Sequence, residues 1–200
     1  MNRQVLQKWI FPVILLVIFS FVSLAAAAQI SLQPGDKAPD FSIPDHDGES
    51  YRLSKRKGKV GFVIVFLSTE CPVSNAYNFR LIKLAKYAKE NNLDFIGINS
   101  NQTESFEEVY THAKAKSLNF PVLKDEENKV ADMYGASVTP EAFLIDKNLI
   151  VQYHGPIDDN QREERVTEPY LHDAIEQLLN GKHISPDNVK PRGCIIKRFR

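Results

Sequence analysis

Val60-Gly61-Phe62-Val63-Ile64-Val65-Phe66-Leu67-Ser68-Thr69-Glu70-Cys71-Pro72-Val73-Ser74-Asn75 leads from an unbroken apolar run into a cysteine followed by proline. Val60 to Leu67 shows no alternation of polar and apolar residues. It therefore reads as a strand buried on both faces, central in a sheet covered by helices. From Pro72 the period changes. Tyr77, Leu81, Leu84, Ala85 and Ala88 share one face of a helix, and Arg80, Lys83, Lys86 and Lys89 face outward. Cys71 stands at the handover, and Pro72 suits the first helical position, where its missing N–H costs nothing. The sulfur is then expected beside free backbone N–H groups and the positive end of the helix, both of which favour thiolate. Glu70 would oppose that charge if it pointed inward. An inert buried cysteine is the alternative, but Thr69, Glu70, Ser74 and Asn75 are not core composition.

Outward from this stretch, strands and helices alternate. Ala38–Pro44 reads as a short extended edge stopped by Pro44 and the run 45–48. Tyr51 and Leu53 alternate, and Lys55–Lys59 is an exposed, charged turn. After Asn91-Asn92, Leu93–Ile98 is a second strand, and Ser105 is a candidate cap for a short helix with Phe106, Val109 and Tyr110 on its inner side. Phe120–Leu123 is a brief strand, and Lys129–Tyr134 makes one or two helical turns ending at Gly135. Ala142–Ile145 and Ile150–Tyr153 form a hairpin about Asp146-Lys147-Asn148. Asp158–Arg165 is a charged loop, with Asp158-Asp159 and Glu163-Glu164 read as solvated. Tyr170, Ala174, Leu178 and Leu179 mark the closing helix before Gly181. The fold class is α/β: a sheet mostly parallel at its centre with an antiparallel edge. Residues 182–200 have no clear period and read as a tail laid over the domain.

The chain has 200 residues, 25 basic and 25 acidic. Arg3 and Lys8 precede an apolar segment, Trp9–Ala28, that ends in Ala25-Ala26-Ala27-Ala28 with small residues where a signal peptidase reads. Residues 1–28 read as a secretory signal; the alternative is an uncleaved membrane anchor, since nearly 20 apolar residues could just span a bilayer. The expected location is the periplasm, with secretion or N-terminal anchoring as alternatives. Residues 29–181 then form one domain, and 182–200 a tail carrying Cys194. Without 1–28 there are 23 basic against 25 acidic residues, so no field of one sign suits nucleic acid. The basic residues Lys190, Arg192, Lys197, Arg198 and Arg200 have a surface role.

Two cysteines in an exported chain can make one intrachain pair, Cys71–Cys194. Its long loop would make a purely structural bridge worth roughly 4–5 kcal/mol. The histidines, His46, His112, His154, His172 and His183, are scattered without metal-ligand spacing. His154 is read as a partly buried structural residue. No metal or other cofactor is called for.

Several stretches resemble the redoxin branch of the thioredoxin-like superfamily, which includes AhpC/TSA-type peroxiredoxins and TlpA-like proteins. They are Gly35-Asp36-Lys37-Ala38-Pro39-Asp40-Phe41, the strand before Cys71, Phe120-Pro121-Val122-Leu123-Lys124-Asp125, Tyr134-Gly135-Ala136-Ser137-Val138-Thr139-Pro140, Phe143-Leu144-Ile145-Asp146 and Tyr153-His154-Gly155. The resemblance runs from about 35 to 180 and implies a thioredoxin-like fold, with Cys71 as the attacking cysteine. It also implies that Pro140 is a cis-proline beside the sulfur, with Thr139–Pro140 the only sensible place for a cis bond. The Thr139 backbone would then meet an incoming peptide or thiol, with Pro72 and Ser74 on the other side of the site. Ser74 stands where a dithiol thioredoxin has its second cysteine. Ile64 stands where a typical peroxiredoxin has proline, and Ser68 where it has threonine. No arginine can be assigned to steady a peroxidatic thiolate; Arg162 and Arg165 lie in a loop of unknown position.

The resemblance implies a thiol oxidoreductase in which Cys71 attacks. Cys194, on the tail outside the resembling core, is the candidate to resolve the intermediate, with a permanent bridge, or a free tail cysteine used with an external thiol, as the alternatives. The partners of the oxidoreductase would be a protein or small-molecule disulfide, thiol or peroxide, with an external thiol reductant. A thiol peroxidase, and a non-enzymatic scaffold that binds a partner or a soft metal such as copper through one thiol, are the alternatives.

Overall fold

A strand without a polar side must be covered on both faces, and the run through Phe66 is built that way. The computed structural model describes residues 31–45, 49–56 and 58–198. The signal-segment reading of residues 1–28 lies outside them. Strand β3 (Gly61–Phe66) follows the hairpin β1 (Ser42–Pro44) and β2 (Ser50–Arg52), and all six of its residues are buried. β3 runs parallel to β4 (Leu93–Asn99) and antiparallel to β7 (Glu141–Asp146). β5 (Val122–Lys124) extends the sheet beyond β4, and β8 (Val151–Gly155) beyond β7, giving the order β5-β4-β3-β7-β8. The sheet is mixed: parallel through β3, β4 and β5, and antiparallel through β7 and β8.

Alternate residues of β3 enter two apolar clusters. Val63 and Val65 pack with α2 (Asn78–Glu90), α3 (Phe106–Ala115) and α5 (Tyr170–Leu179) through Leu81, Ala85, Val109 and Ile175. Phe62, Ile64 and Phe66 pack on the other side with Tyr51, Leu53, Phe143 and the short helix α4 (Lys129–Tyr134). Ser105 caps α3 in a reciprocal capping box with Glu108. Gly135 ends α4 at φ +65°, a conformation glycine adopts without steric cost.

Five sequence expectations need correction. The helix after Cys71 is not continuous: α1 (Pro72–Ala76) ends at Tyr77, and α2 starts afresh at Asn78. The aligned dipole behind Cys71 is therefore that of five residues. Arg80 does not face outward. It is 8% exposed, stacks its guanidinium on the Tyr77 ring 3.8 Å from the centroid, and pairs with Asp158. Asp158 is accordingly buried, not a solvated loop carboxylate. The bond Thr139–Pro140 is cis, but so is Ser185–Pro186. The tail is part of the core: Ile184 joins one apolar cluster and Ile196, 2% exposed, the other.

Candidate active site

The end of β3 and the start of α1 meet in the loop 67–71. The Leu67 N–H donates to the Ile98 carbonyl, carrying the sheet pairing to the edge of the loop. Cys71 is the N-cap of α1, with extended backbone at φ −72° and ψ 116°. The Ser74 N–H donates to Cys71 Sγ at 3.3 Å, and the Thr139 carbonyl oxygen lies 3.4 Å from the same sulfur. Pro72 is the exposed first residue of α1. The Ser74 side chain is turned inward. It is buried, and its hydroxyl accepts from the Ser68 N–H at 3.1 Å, so it braces the loop from below. Glu70 points out to solvent and pairs with Lys197 at 2.8 Å, leaving the sulfur without a carboxylate turned against it.

The loop hangs on a carboxylate that sequence reasoning missed. Glu104, 1% exposed, accepts from Ser68 Oγ at 2.5 Å, from Thr69 N and Oγ1 at 2.6 Å each, from Asn99 Nδ2 at 2.6 Å and from Asn101 Nδ2 at 2.8 Å. Ser68 Oγ in turn accepts from the N–H of Cys71 at 2.9 Å and of Glu70 at 3.2 Å. Burial alone would raise the Glu104 pKa, but the hydrogen bonds from Ser68, Thr69 and Asn99 outweigh it and hold the carboxyl below its ordinary value. A second overlooked carboxylate shapes the opposite wall. Glu141 accepts from the N–H groups of Ser137 (2.8 Å) and Val138 (3.0 Å), and its other oxygen meets His154 Nε2 at 2.7 Å. His154 is buried and stacks on Phe143, with centroids 4.5 Å apart. The only sequence signal for Glu141 is an acid heading an otherwise apolar strand; for Glu104 there is none.

The wall that Glu141 shapes is β6 (Val138–Thr139), followed directly by the buried Pro140. Against it lies β9 (Cys194–Ile195), antiparallel, with Thr139 opposite Cys194. Cys71 and Cys194 are joined as a disulfide, with their Cα atoms 6.0 Å apart. Cys71 is 4% exposed and Cys194 half-buried. Gly193 lies flat on the Thr139–Pro140 peptide: a Cβ there would fall on the Thr139 carbonyl oxygen. Beyond Cys194 the Ile196 N–H donates to the Ser137 carbonyl (2.9 Å), Lys197 N to Asn101 Oδ1 (2.8 Å) and Arg198 to the Ala136 carbonyl and Asp132. Arg80 is committed to the loop 158–161. Its guanidinium holds Asp158 and the carbonyls of Asn160 (2.8 Å) and Gln161 (2.6 Å). Among the described residues no cluster of three or more His, Cys, Asp or Glu could hold a metal ion, and no helix is long and apolar enough to cross a membrane.

Residues 34–154 match the AhpC/TSA family. The chain belongs to that family. It is 30% identical over 128 residues to the thiol-disulfide oxidoreductase ResA of Bacillus subtilis, covering 64% of this chain and 69% of that one. It is 31% identical over 126 residues to peroxiredoxin Q of Oryza sativa subsp. japonica, covering 60% of this chain and 57% of the rice protein. The crystal structure of a hypothetical protein, SMc02350 of Sinorhizobium meliloti, superposes at a TM-score of 0.79 with 33% identity, covering 85% of this chain and 97% of that one. The sheet order, with a cis-proline beside the cysteine loop, is the thioredoxin-like fold expected above. Family membership and the joined cysteines make the class of chemistry thiol oxidoreduction. The family match ends at 154, so β9 and Cys194 lie outside it.

Glu104→Gln is expected to lower stability by about 2–3 kcal/mol at neutral pH, because a charged acceptor is lost from a buried network. The native carboxylate has a depressed pKa, so its contribution is complete above the ordinary value of 4.5 and is lost as pH falls through the lower folded value. Urea titrations should therefore show the deficit of the variant shrinking below pH 4.5. Gly193→Ala should push β9 off the Thr139–Pro140 peptide. Thiol titration after mild oxidation would then find free Cys71 and Cys194 where the native protein has none.

Proposed function

We propose that this chain is an exported thiol-disulfide oxidoreductase with Cys71 as nucleophile and Cys194 as resolving cysteine. The observation that carries the reading is the pairing itself: Cys194 is delivered to Cys71 by a tail strand docked beside the cis-proline. In the reduced protein the Cys71 thiolate, favoured by the Ser74 N–H, attacks one sulfur of a substrate disulfide. A Cys71–substrate disulfide forms and the other substrate sulfur leaves as thiolate. The Cys194 thiolate then attacks Cys71 Sγ, the substrate leaves reduced, and the protein is left oxidised by two electrons. Two equivalents of an external thiol return it to the dithiol. Holding Cys194 beside its target makes the second step effectively unimolecular. Thr139 and Pro140 form the wall against which the sulfurs meet. Export rests on the apolar segment 9–28 and its alanine run.

A peroxidase reading is favoured by one relative, peroxiredoxin Q, and by the hydroxyl of Ser68 three residues before Cys71. Two features weigh against it. The Ser68 hydroxyl is committed to Glu104, and Ile64, in place of proline, is a fully buried residue of β3 aligned with Ile96 and Phe143.

Cys194→Ser should accumulate a mixed disulfide between Cys71 and a disulfide-bonded test peptide, visible as a mass increase, and Cys71→Ser should form none. Release of the peptide by Cys194→Ser at the native rate would sink the resolving role. Substoichiometric hydrogen peroxide should leave the reduced native protein largely unoxidised over the time in which the peptide disulfide oxidises it; the reverse order would establish the peroxidase.

A further inference from the structure

The edge of β6, where an extended segment of another protein could pair beside the sulfur, is already filled by the chain's own β9. A groove of about 490 Å³ opens between the loop 156–161 and the tail 189–193, reaching Pro140, the residue after Thr139, and Gly193, the residue before Cys194. Its floor is apolar, made by Val73, Tyr77, Pro140, Ile157, Tyr170 and Val189. Its polar groups are unequal in what they have left to offer. Asp158 is spent on Arg80 and on the Tyr77 hydroxyl, and Asp159 accepts from Thr167 N and Oγ1 at 3.0 and 2.6 Å. The carbonyls of Asn160 and Gln161 accept from Arg80. Lys190 and Arg192, on the tail wall, are exposed and, among the described residues, have no acidic partner within salt-bridge distance.

We propose that this groove receives a small thiol bearing carboxylates, about the size of a tripeptide, as the electron donor that reduces the Cys71–Cys194 disulfide. The inference rests on the reading that this disulfide cycles. The volume suits such a ligand. The apolar floor accommodates its chain, and two uncommitted cations in the lining, Lys190 and Arg192, on the tail just before Cys194, favour its carboxylates. An extended protein segment cannot pair with the β6 edge that β9 already fills.

The reaction balances with two equivalents of thiol. The first attacks the more accessible sulfur, that of Cys194. A bond forms between the incoming sulfur and Cys194 Sγ, the Cys71–Cys194 bond breaks, and its electron pair goes to Cys71 Sγ, which keeps the Ser74 N–H. The second equivalent attacks the sulfur of the first, forms the small-molecule disulfide and releases Cys194 as thiolate. The protein gains two electrons and the donor is oxidised to its disulfide.

The test compares second-order rate constants, expressed per thiolate, for reduction of the oxidised native protein by reduced glutathione and by cationic cysteamine, read from the mass gain after alkylation of quenched samples. Glutathione should be faster by about tenfold or more at low ionic strength. That ratio should fall toward one in the double variant Lys190→Gln, Arg192→Gln, and in the native protein as salt is raised. Both substitutions are at exposed side chains, and the salt titration needs no variant. Equal rates for the two thiols, or a ratio that ignores both the substitutions and salt, overturns the proposal while the cycling disulfide stands. A charge preference seen only with long acidic cysteine peptides overturns the small-thiol assignment. A disulfide that resists every thiol, dithiothreitol included, overturns the cycling reading and this one with it.

Discussion

Strand β3 has no side that can face water, and most of the molecule follows from covering both of its faces. Val63 and Val65 call for the helices α2, α3 and α5 on one side; Phe62, Ile64 and Phe66 call for α4, the β1–β2 hairpin and the tail on the other. Flanked by β4 and β7, β3 is held in fixed register along its length. The chain leaves that rigid strand only at Leu67, so Cys71 emerges at a position set by the core. Its neighbours can therefore be arranged around it without the loop itself being stiff.

Two buried carboxylates do that arranging. Glu104 gathers donors from Ser68, Thr69, Asn99 and Asn101, tying the cysteine loop to the loop after β4. Glu141 gathers the N–H groups of Ser137 and Val138 and tightens the turn into Thr139–Pro140. A buried charge is tolerable only when its lone pairs are met, and both residues spend their charge on backbone and side-chain donors at the two walls that meet at the sulfur. Arg80 acts in the same manner further out, holding Asp158 and the loop through Gln161 as the rim of the groove.

The tail completes the arrangement. Its surface ion pairs, Lys197 with Glu70 and Arg198 with Asp132, are partly exposed and contribute little. Burial of Ile184 and Ile196 on opposite faces of the sheet, together with the close seat of Gly193 on the Thr139–Pro140 peptide, is what anchors it. These contacts lie on both sides of Cys194 and are made by residues other than the two cysteines.

Much of this was legible in Val60–Asn75. An apolar run without alternation, a cysteine and a proline at a change of period are local signals, because periodicity and the missing proline N–H act within a few residues. They determined the central strand, the helix start, the α/β class and the place of Cys71, and the order of the remaining motifs determined the family. The destination of the charged side chains was not legible. Arg80 has the spacing of an outward residue, and Asp158 sits in an acidic loop; each is buried only because the other arrives from 78 positions away. Glu104 carries no local mark of burial, since Ser68 and Thr69 reach it from 36 and 35 positions away. The direction of the Ser74 hydroxyl, inward to the Ser68 N–H, is likewise not legible in its spacing from Cys71. Pairing Cys194 with Cys71 was open to a count of cysteines. That the tail enters the core and fills the edge of β6 was decided by tertiary packing, since contacts between distant segments depend on three-dimensional closure and not on any pattern along the chain.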